Sequence, residues 1–267
     1  MVRPYGYTQQ IIETLDVIQD NSTNVYNYKG LNFLSKLSHK NNHLVICFHG
    51  AVQGRGTNRI VFRGYNYNLQ NTDMVCVTDY LLNVYDDYKV NWTLSTKKYD
   101  VESIYEEVFD YIIHRRPYTK VIFTGTSAGG YPSLKFACTF HCTALLSNSQ
   151  IYLEDYGAGT GWGMGHLKAM LAKNDDTLLY SDKEIETILC EHKPKHVILY
   201  NNINDSTYKR DLVPLLQYIK DNDLSHLFTI HTFEYTGVIP AGWTQHHIQF
   251  PGNQRHMHVL QQLIHTD

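Results

Sequence analysis

One serine in this chain stands between two glycines in the pattern Gly-x-Ser-x-Gly. It is Ser127, in the segment Gly125-Thr126-Ser127-Ala128-Gly129. The apolar run Lys120–Thr124 before it predicts a buried strand, and the residues from Ala128 to about Phe140 are compatible with a helix. A sharp strand-to-helix turn needs small flanking residues and lifts the serine hydroxyl clear of the sheet. The pentapeptide alone is common, but in this setting it predicts that Ser127 is a nucleophile.

A serine hydroxyl is a weak nucleophile at neutral pH and needs a general base that is oriented by an acid. After such a turn, the acid is expected beyond a later strand and the base nearer the C-terminus. The apolar run His196–Tyr200 predicts that later strand, and Asp205 lies in the loop directly after it. We therefore assign Asp205 as the acid. Asp211 is the alternative, although its position suits the cap of the next helix better.

The general base is expected in the loop before the last predicted helix. Two histidines occur there, His256 and His258. His258 falls within the first turn of the helix, whereas His256 precedes its apolar stripe, so we assign His256 as the base and keep His258 as the alternative. His246 and His247 stand in a strand-like run and are interpreted as structural.

Acyl transfer through a serine also needs hydrogen-bond donors for the oxyanion of the tetrahedral intermediate. The backbone N–H of Ala128, the residue after the nucleophile, is one predicted donor. The loop after an early strand supplies the other, and Ala51 follows such a run in His49-Gly50-Ala51. His49 and Gly50 are expected to shape this loop and to contact substrate, and Arg55 is a candidate ligand for an anionic substrate group.

The elements that must position these residues alternate between strands and helices. Strands are predicted at residues 24–28, 31–37, 43–49, 73–78, 120–124, 142–147, 196–200, 227–235 and 246–250, and helices at 100–116, 128–140, 211–220 and 257–264. This alternation predicts an α/β fold whose mostly parallel central sheet carries helices on both faces. Chemistry in such sheets lies beyond the carboxyl ends of the strands.

The segment from Gln150 to Glu191 interrupts the alternation. It contains five glycines between residues 157 and 165, followed by two helix-like pieces at Gly165–Lys173 and Ser181–Cys190. We interpret it as a lid or cap inserted into one domain that spans residues 1–267.

Composition excludes several classes of function. The 267 residues carry a formal net charge of −3, which offers no broad basic surface for nucleic acid. No run approaches the roughly 18 apolar residues of a membrane-spanning helix. Met1–Asp20 lacks the pattern of a signal peptide, so a cytoplasmic location is expected.

The cysteines give no sign of a metal site. There are five, an odd number, and several stand in or beside apolar runs. Cys138 and Cys142 flank His141, but no second Cys or His cluster matches them. We expect buried free thiols and no bound metal.

Four short motifs together resemble the α/β-hydrolase superfamily. They are FHGA at Phe48–Ala51, GTSAGG at Gly125–Gly130, NDS at Asn204–Ser206 and a histidine before the last helix. Within that superfamily the chain is similar to divergent members associated with bacterial capsule and surface-polysaccharide biosynthesis. The resemblance implies an esterase or an O-acetyltransferase acting on carbohydrate, with acetyl-CoA as the acyl donor of a transferase. The segment Asn253–His258 departs from the plain Gly-His of many relatives.

Three readings of function therefore stay open. Hydrolysis of an ester and acetyl transfer to a glycan share an acyl-serine intermediate and differ in the acceptor that attacks it. A general carboxylesterase of small esters is the broader form of the first. A non-catalytic binding module on the same fold is the third.

Overall fold

The computed structural model describes residues 8–51, 60–85, 90, 92–154, 156, 163–181, 184–236, 247–251 and 255–265. Within these residues the chain forms one nine-stranded sheet with helices on both faces, as predicted. The strands are β1 Gln9–Ile12, β2 Ser22–Tyr28, β3 Leu31–Leu37, β4 His43–Phe48, β5 Thr72–Val77, β6 Lys120–Thr126, β7 Thr143–Ser147, β8 His196–Asn202 and β9 Phe228–Phe233.

The sheet is mostly parallel. Its order is β1-β2-β3-β5-β4-β6-β7-β8-β9, and β3 runs antiparallel to both of its neighbours while the other adjacent pairs are parallel. The predicted hairpin of β2 and β3 is confirmed. Its two turn residues, Lys29 and Gly30, have φ of +48° and +91°, the left-handed backbone that tight hairpin turns require.

The helices are α1 Leu81–Val84, α2 Val101–His114, α3 Gly130–Thr139, α4 Met164–Lys173, α5 Glu184–Glu191, α6 Val213–Asp221 and α7 His256–His265. The N-terminus of α2 is capped as its sequence predicts, because the Asp100 carboxylate accepts a hydrogen bond from the Ser103 backbone N–H at 3.3 Å.

Alternate residues of the central strands supply two cores, one on each face of the sheet. On β4, Leu44, Ile46 and Phe48 join the larger core. Val45 and Cys47 join the smaller one, which is covered by α7. This period of two explains why the central strands read as continuous apolar runs.

Both helices of the 150–191 segment pack on the larger core through buried side chains such as Leu167 and Leu189. An ion-pair network ties α5 to α3, since the Lys135 ammonium contacts the carboxylates of Glu102 and Glu184. Tyr131 donates a further hydrogen bond to Glu184 at 2.5 Å. The described part of this segment is thus docked on the sheet's helical layer, and its role as a lid stays a prediction.

Two elements differ from the sequence expectation. The strand β1, paired in parallel with β2, was not predicted. Residues 246–250 were expected as a strand, but residues 247–250 lie in irregular backbone above the sheet edge, and His246 is outside the described residues. Their side-chain and carbonyl groups bond to the ends of β6 and β7 instead of pairing as a ladder.

Three further observations concern the described residues alone. They contain no helix long and apolar enough to cross a membrane and no group of three metal-ligating side chains. The five cysteines are free, and four of them are buried as expected.

Candidate active site

Ser127 occupies the turn that joins β6 to α3. Its backbone is left-handed, with φ at +56°, a strained conformation for a residue with a side chain. A short 3₁₀ turn, Ser127–Gly129, leads directly into α3. The predicted strand–turn–helix setting is therefore present.

Gly125 and Gly129 must be glycines, because a side chain at either position would clash with neighbouring backbone atoms. A Cβ at Gly125 would lie 2.0 Å from the carbonyl oxygen of Gly129, and one at Gly129 would lie 2.6 Å from that of His49. No side chain fits at either distance. The turn is thus pressed against its own helix on one side and against the end of β4 on the other.

The loop after β4 lies beside Ser127. A Cβ on Gly50 would lie 3.6 Å from Ser127 Cβ, and Ala51 is half-buried against the larger core. Ala128, buried, follows Ser127 directly. The predicted oxyanion donors, Ala128 and Ala51, therefore stand on the two segments that meet here. Arg55 lies outside the described residues.

His49 has a fixed tautomer that suits a structural role in this loop. Its Nε2 accepts a hydrogen bond from the Asp79 backbone N–H at 3.0 Å, so Nδ1 carries the proton and donates to the Gly50 carbonyl at 2.6 Å. Burial lowers the pKa of His49 and outweighs the opposing hydrogen bond to Gly50. Both ring nitrogens are thus occupied by backbone groups, Nδ1 by one in this loop and Nε2 by one in the segment after β5.

Asp205 is buried three residues beyond the end of β8, where the sequence predicts an acid. Its Oδ1 accepts hydrogen bonds from the Thr207 backbone N–H at 2.8 Å and from the Thr207 hydroxyl at 2.7 Å. Burial alone would raise the pKa of Asp205, but hydrogen bonds from His247 and Thr207 hold that pKa below its ordinary value. The carboxylate is ionised at neutral pH.

The histidine that meets this carboxylate is His247. Its Nδ1 lies 2.9 Å from Asp205 Oδ2, and 38% of its side chain is exposed. An ionised carboxylate can only accept a hydrogen bond, so Nδ1 carries the proton of this contact, and the lone pair of the neutral ring is then on Nε2.

The segment of His247 is fastened to the sheet beside Ser127. Gln249 Nε2 donates to the hydroxyl of Thr126, the residue before Ser127, at 3.0 Å. Asn148, directly after β7, donates to the Ile248 carbonyl at 2.8 Å. Since β6, β7 and β8 are parallel neighbours, this segment crosses the sheet edge from the turn of Ser127 toward Asp205.

His256, the base assigned from the sequence, lies elsewhere. It is buried at the start of α7, on the face of the sheet that carries the smaller core. The Thr124 hydroxyl donates its proton to the Leu145 carbonyl, so His256 Nε2 donates to that hydroxyl at 2.7 Å. Tyr67 and Phe250 pack against the ring. Burial, with a smaller contribution from Arg63, lowers the pKa of His256 to about 3. The structure therefore does not bring His256 to Asp205, as the sequence assignment requires, and places His247 there instead.

The two alternative residues are also placed. His258 is exposed on α7. Asp211 is buried before α6, and its Oδ1 accepts hydrogen bonds from the Ile151 and Tyr152 backbone N–H groups at 2.7 and 2.9 Å. Burial raises the pKa of Asp211, and the nearby positive charge of Arg210 offsets only part of that rise. Asp211 thus anchors the start of the 150–191 segment.

The mostly parallel nine-stranded sheet with helices on both faces is the α/β-hydrolase fold. Among solved structures, the chain is similar to the capsule O-acetyltransferase of Neisseria meningitidis serogroup A, with a TM-score of 0.58 and 14% identity over 83% of this chain and 89% of that one. A histidine-to-alanine variant of that enzyme is known in complex with CoA.

Two esterase-type structures are comparably similar. Est1E from Butyrivibrio proteoclasticus has a TM-score of 0.54 and 12% identity over 91% of this chain and 96% of that one. S-formylglutathione hydrolase from Staphylococcus aureus has a TM-score of 0.53 and 12% identity over 91% and 94%. No family model and no curated protein matches the chain. At these identities the likeness establishes the shared fold.

Proposed function

We propose that the chain is a serine-dependent acyl-transfer enzyme in which Ser127 is the nucleophile, His247 the general base and Asp205 the acid that orients it. The observation that carries the proposal is the 2.9 Å contact between His247 Nδ1 and Asp205 Oδ2. The segment of His247 is also hydrogen-bonded to Thr126, the residue before Ser127. The left-handed backbone of Ser127 supports it independently.

The chemistry follows from these roles. His247 Nε2 takes the Ser127 hydroxyl proton while an Oγ electron pair attacks the acyl carbon, and the carbonyl electron pair moves onto its oxygen. The backbone N–H groups of Ala128 and Ala51 donate to that oxyanion. The intermediate then collapses, and the leaving group departs with the proton from His247. Water or a sugar hydroxyl next attacks the acyl-serine and loses its proton to His247. This second intermediate collapses, the bond from the acyl carbon to Ser127 Oγ breaks, and Oγ takes back the proton from His247 as the acid or the sugar ester leaves.

Asp205 keeps the His247 ring in one tautomer throughout this cycle. Its carboxylate holds the His247 proton on Nδ1 and stabilises the imidazolium formed at each attack. Because hydrogen bonds hold the pKa of Asp205 low, the carboxylate keeps its charge in mildly acidic solution.

A small cavity lies beside the turn of Ser127. It has room for about one water molecule and lies next to Ala128, with Phe48, Trp92 and Pro132 in its wall. The similarity to a capsule O-acetyltransferase favours acetyl transfer to, or removal from, a carbohydrate, with acetyl-CoA as donor if the enzyme is a transferase. Hydrolysis of a small ester is the alternative.

A fluorophosphonate probe tests the nucleophile. Wild type is expected to be labelled and Ser127→Ala is not, with unchanged circular dichroism in both. Labelling that persists in Ser127→Ala would place the reactive group elsewhere. Absence of labelling in wild type, beside a hydrolase control that labels, would favour a binding module.

A second assay identifies the acceptor. The protein is incubated with acetyl-CoA, with and without candidate polysaccharides, and free CoA is measured. Release that depends on the glycan supports transfer, whereas cleavage of small acetyl esters without it supports hydrolysis.

A further inference from the structure

Gln150 forms two hydrogen bonds with Ser127, one through its backbone and one through its side chain. It follows β7 by three residues and is 1% exposed. Its backbone N–H donates to the Ser127 carbonyl at 3.0 Å, and its side-chain Nε2 donates to Ser127 Oγ at 3.2 Å. The sequence patterns that single out the triad do not include this residue.

The direction of the Gln150 amide is fixed by a donor-only neighbour. Trp92 Nε1–H donates to Gln150 Oε1 at 2.6 Å. An indole N–H has no acceptor capacity, so the carbonyl oxygen must face Trp92 and the NH₂ group must face Ser127. The hydrogen bond at Ser127 Oγ is therefore an N–H donation.

Trp92 is itself rigidly held. It is 1% exposed, and both it and Thr93 have left-handed backbone, with φ of +56° and +59°. The ring of Tyr156 packs edge-on against the indole at a centroid distance of 5.6 Å. Tyr156 is also a hydrogen-bond partner of Gln150. The amide thus sits in a buried setting that leaves it one orientation.

We propose that Gln150 is a catalytic residue whose Nε2–H stabilises negative charge on Ser127 Oγ as its proton leaves. This inference rests on the proposed function. One Oγ electron pair forms the bond to the acyl carbon, the other accepts the Gln150 N–H, and the proton goes to His247 Nε2. The same contact holds the Oγ rotamer before attack, and the charge builds in a buried site where a fixed donor is most effective.

Removing such a donor is expected to slow attack by Ser127 about 10- to 100-fold, the range for a hydrogen bond to a developing charge. The rate of fluorophosphonate labelling measures this step without knowledge of the natural substrate. Gln150→Met keeps the side-chain length and removes both the carbonyl oxygen and the NH₂ group of the side-chain amide.

A paired variant controls for damage to Trp92. Gln150→Met leaves the indole N–H of Trp92 buried without its acceptor. The double variant Trp92→Phe/Gln150→Met removes both partners of this hydrogen bond, and its labelling rate is compared with that of Trp92→Phe alone. Gln150→Met is expected to label about 10- to 100-fold more slowly than wild type, and the double variant more slowly than Trp92→Phe.

Rates within threefold for both pairs, in proteins of unchanged thermal midpoint, would overturn the role of Gln150. If Gln150→Met fails to fold, the double variant against Trp92→Phe decides the matter. Failure of the proposed function looks different, because wild type itself would then show no labelling that depends on Ser127, and the role of Gln150 would fall with it.

Discussion

The buried His256 should make the fold sensitive to acid. Burial and the charge of Arg63 lower its pKa from 6.5 to about 3 in the folded chain, whereas the unfolded chain has the ordinary value. Between these two values the unfolded state binds a proton that the folded state does not. The free energy of unfolding therefore falls as the pH falls through this window.

The size of the effect follows from the two pKa values. Each pH unit below 6.5 removes about 1.4 kcal/mol of stability until the folded-state pKa is reached. At pH 4.5 the loss from His256 alone is about 2.5 to 3 kcal/mol, a large share of the roughly 5–15 kcal/mol typical of a domain.

Urea unfolding at pH 7 and pH 4.5 measures this loss. In His256→Gln the amide can still donate to the Thr124 hydroxyl but does not titrate, so the variant should lose about 2.5 to 3 kcal/mol less than wild type over the same interval. His258→Gln, on the exposed side of the same helix, should behave as wild type does. Equal losses in wild type and His256→Gln would refute the reasoning.

Two further outcomes are expected. Gly129→Ala should lower the free energy of unfolding by about 1–3 kcal/mol, because its Cβ would lie 2.6 Å from the His49 carbonyl oxygen. Gly165→Ala is the control, since a Cβ there meets nothing within 4 Å. It should be neutral or slightly stabilising in the same denaturation assay. Asp205→Asn should reduce the labelling rate about 10⁴-fold with the fold intact, because an amide can hold His247 in the wrong tautomer, and a change below tenfold would argue against its role.

Most of the fold was predictable because its signals are local. The apolar runs of the central strands are buried on both faces, and Asp100 and Pro117 bound the longest helix in the sequence. The sheet order and the edge strand β1 were not predictable, since a short strand such as Gln9–Ile12 is defined by its partner and carries no strong pattern of its own.

The site was predictable only in part for a related reason. Ser127 and Asp205 follow strands directly, so their positions at the sheet edge could be inferred from sequence. The choice between histidines depends on how a loop without regular structure folds back. The sequence favours a structural role for His247 because it stands in a strand-like run, although the Pro251-Gly252 just after it is typical of a loop.

Gln150 shows the limit of sequence patterns more sharply. Its contact with Ser127 joins residues 23 positions apart through a buried amide, and its orientation depends on Trp92, 58 positions before it. No periodicity or motif in the sequence indicates the hydrogen bonds that link Trp92, Gln150 and Ser127.

We propose that His247, and not His256, is the base that activates Ser127. The most direct test compares the fluorophosphonate labelling rates of His247→Ala and His256→Gln at pH 7 with that of wild type. We expect His247→Ala to label at least about 10³-fold more slowly and His256→Gln to stay within a few fold of wild type. Fast labelling of His247→Ala together with loss of labelling in a folded His256→Gln would contradict the account.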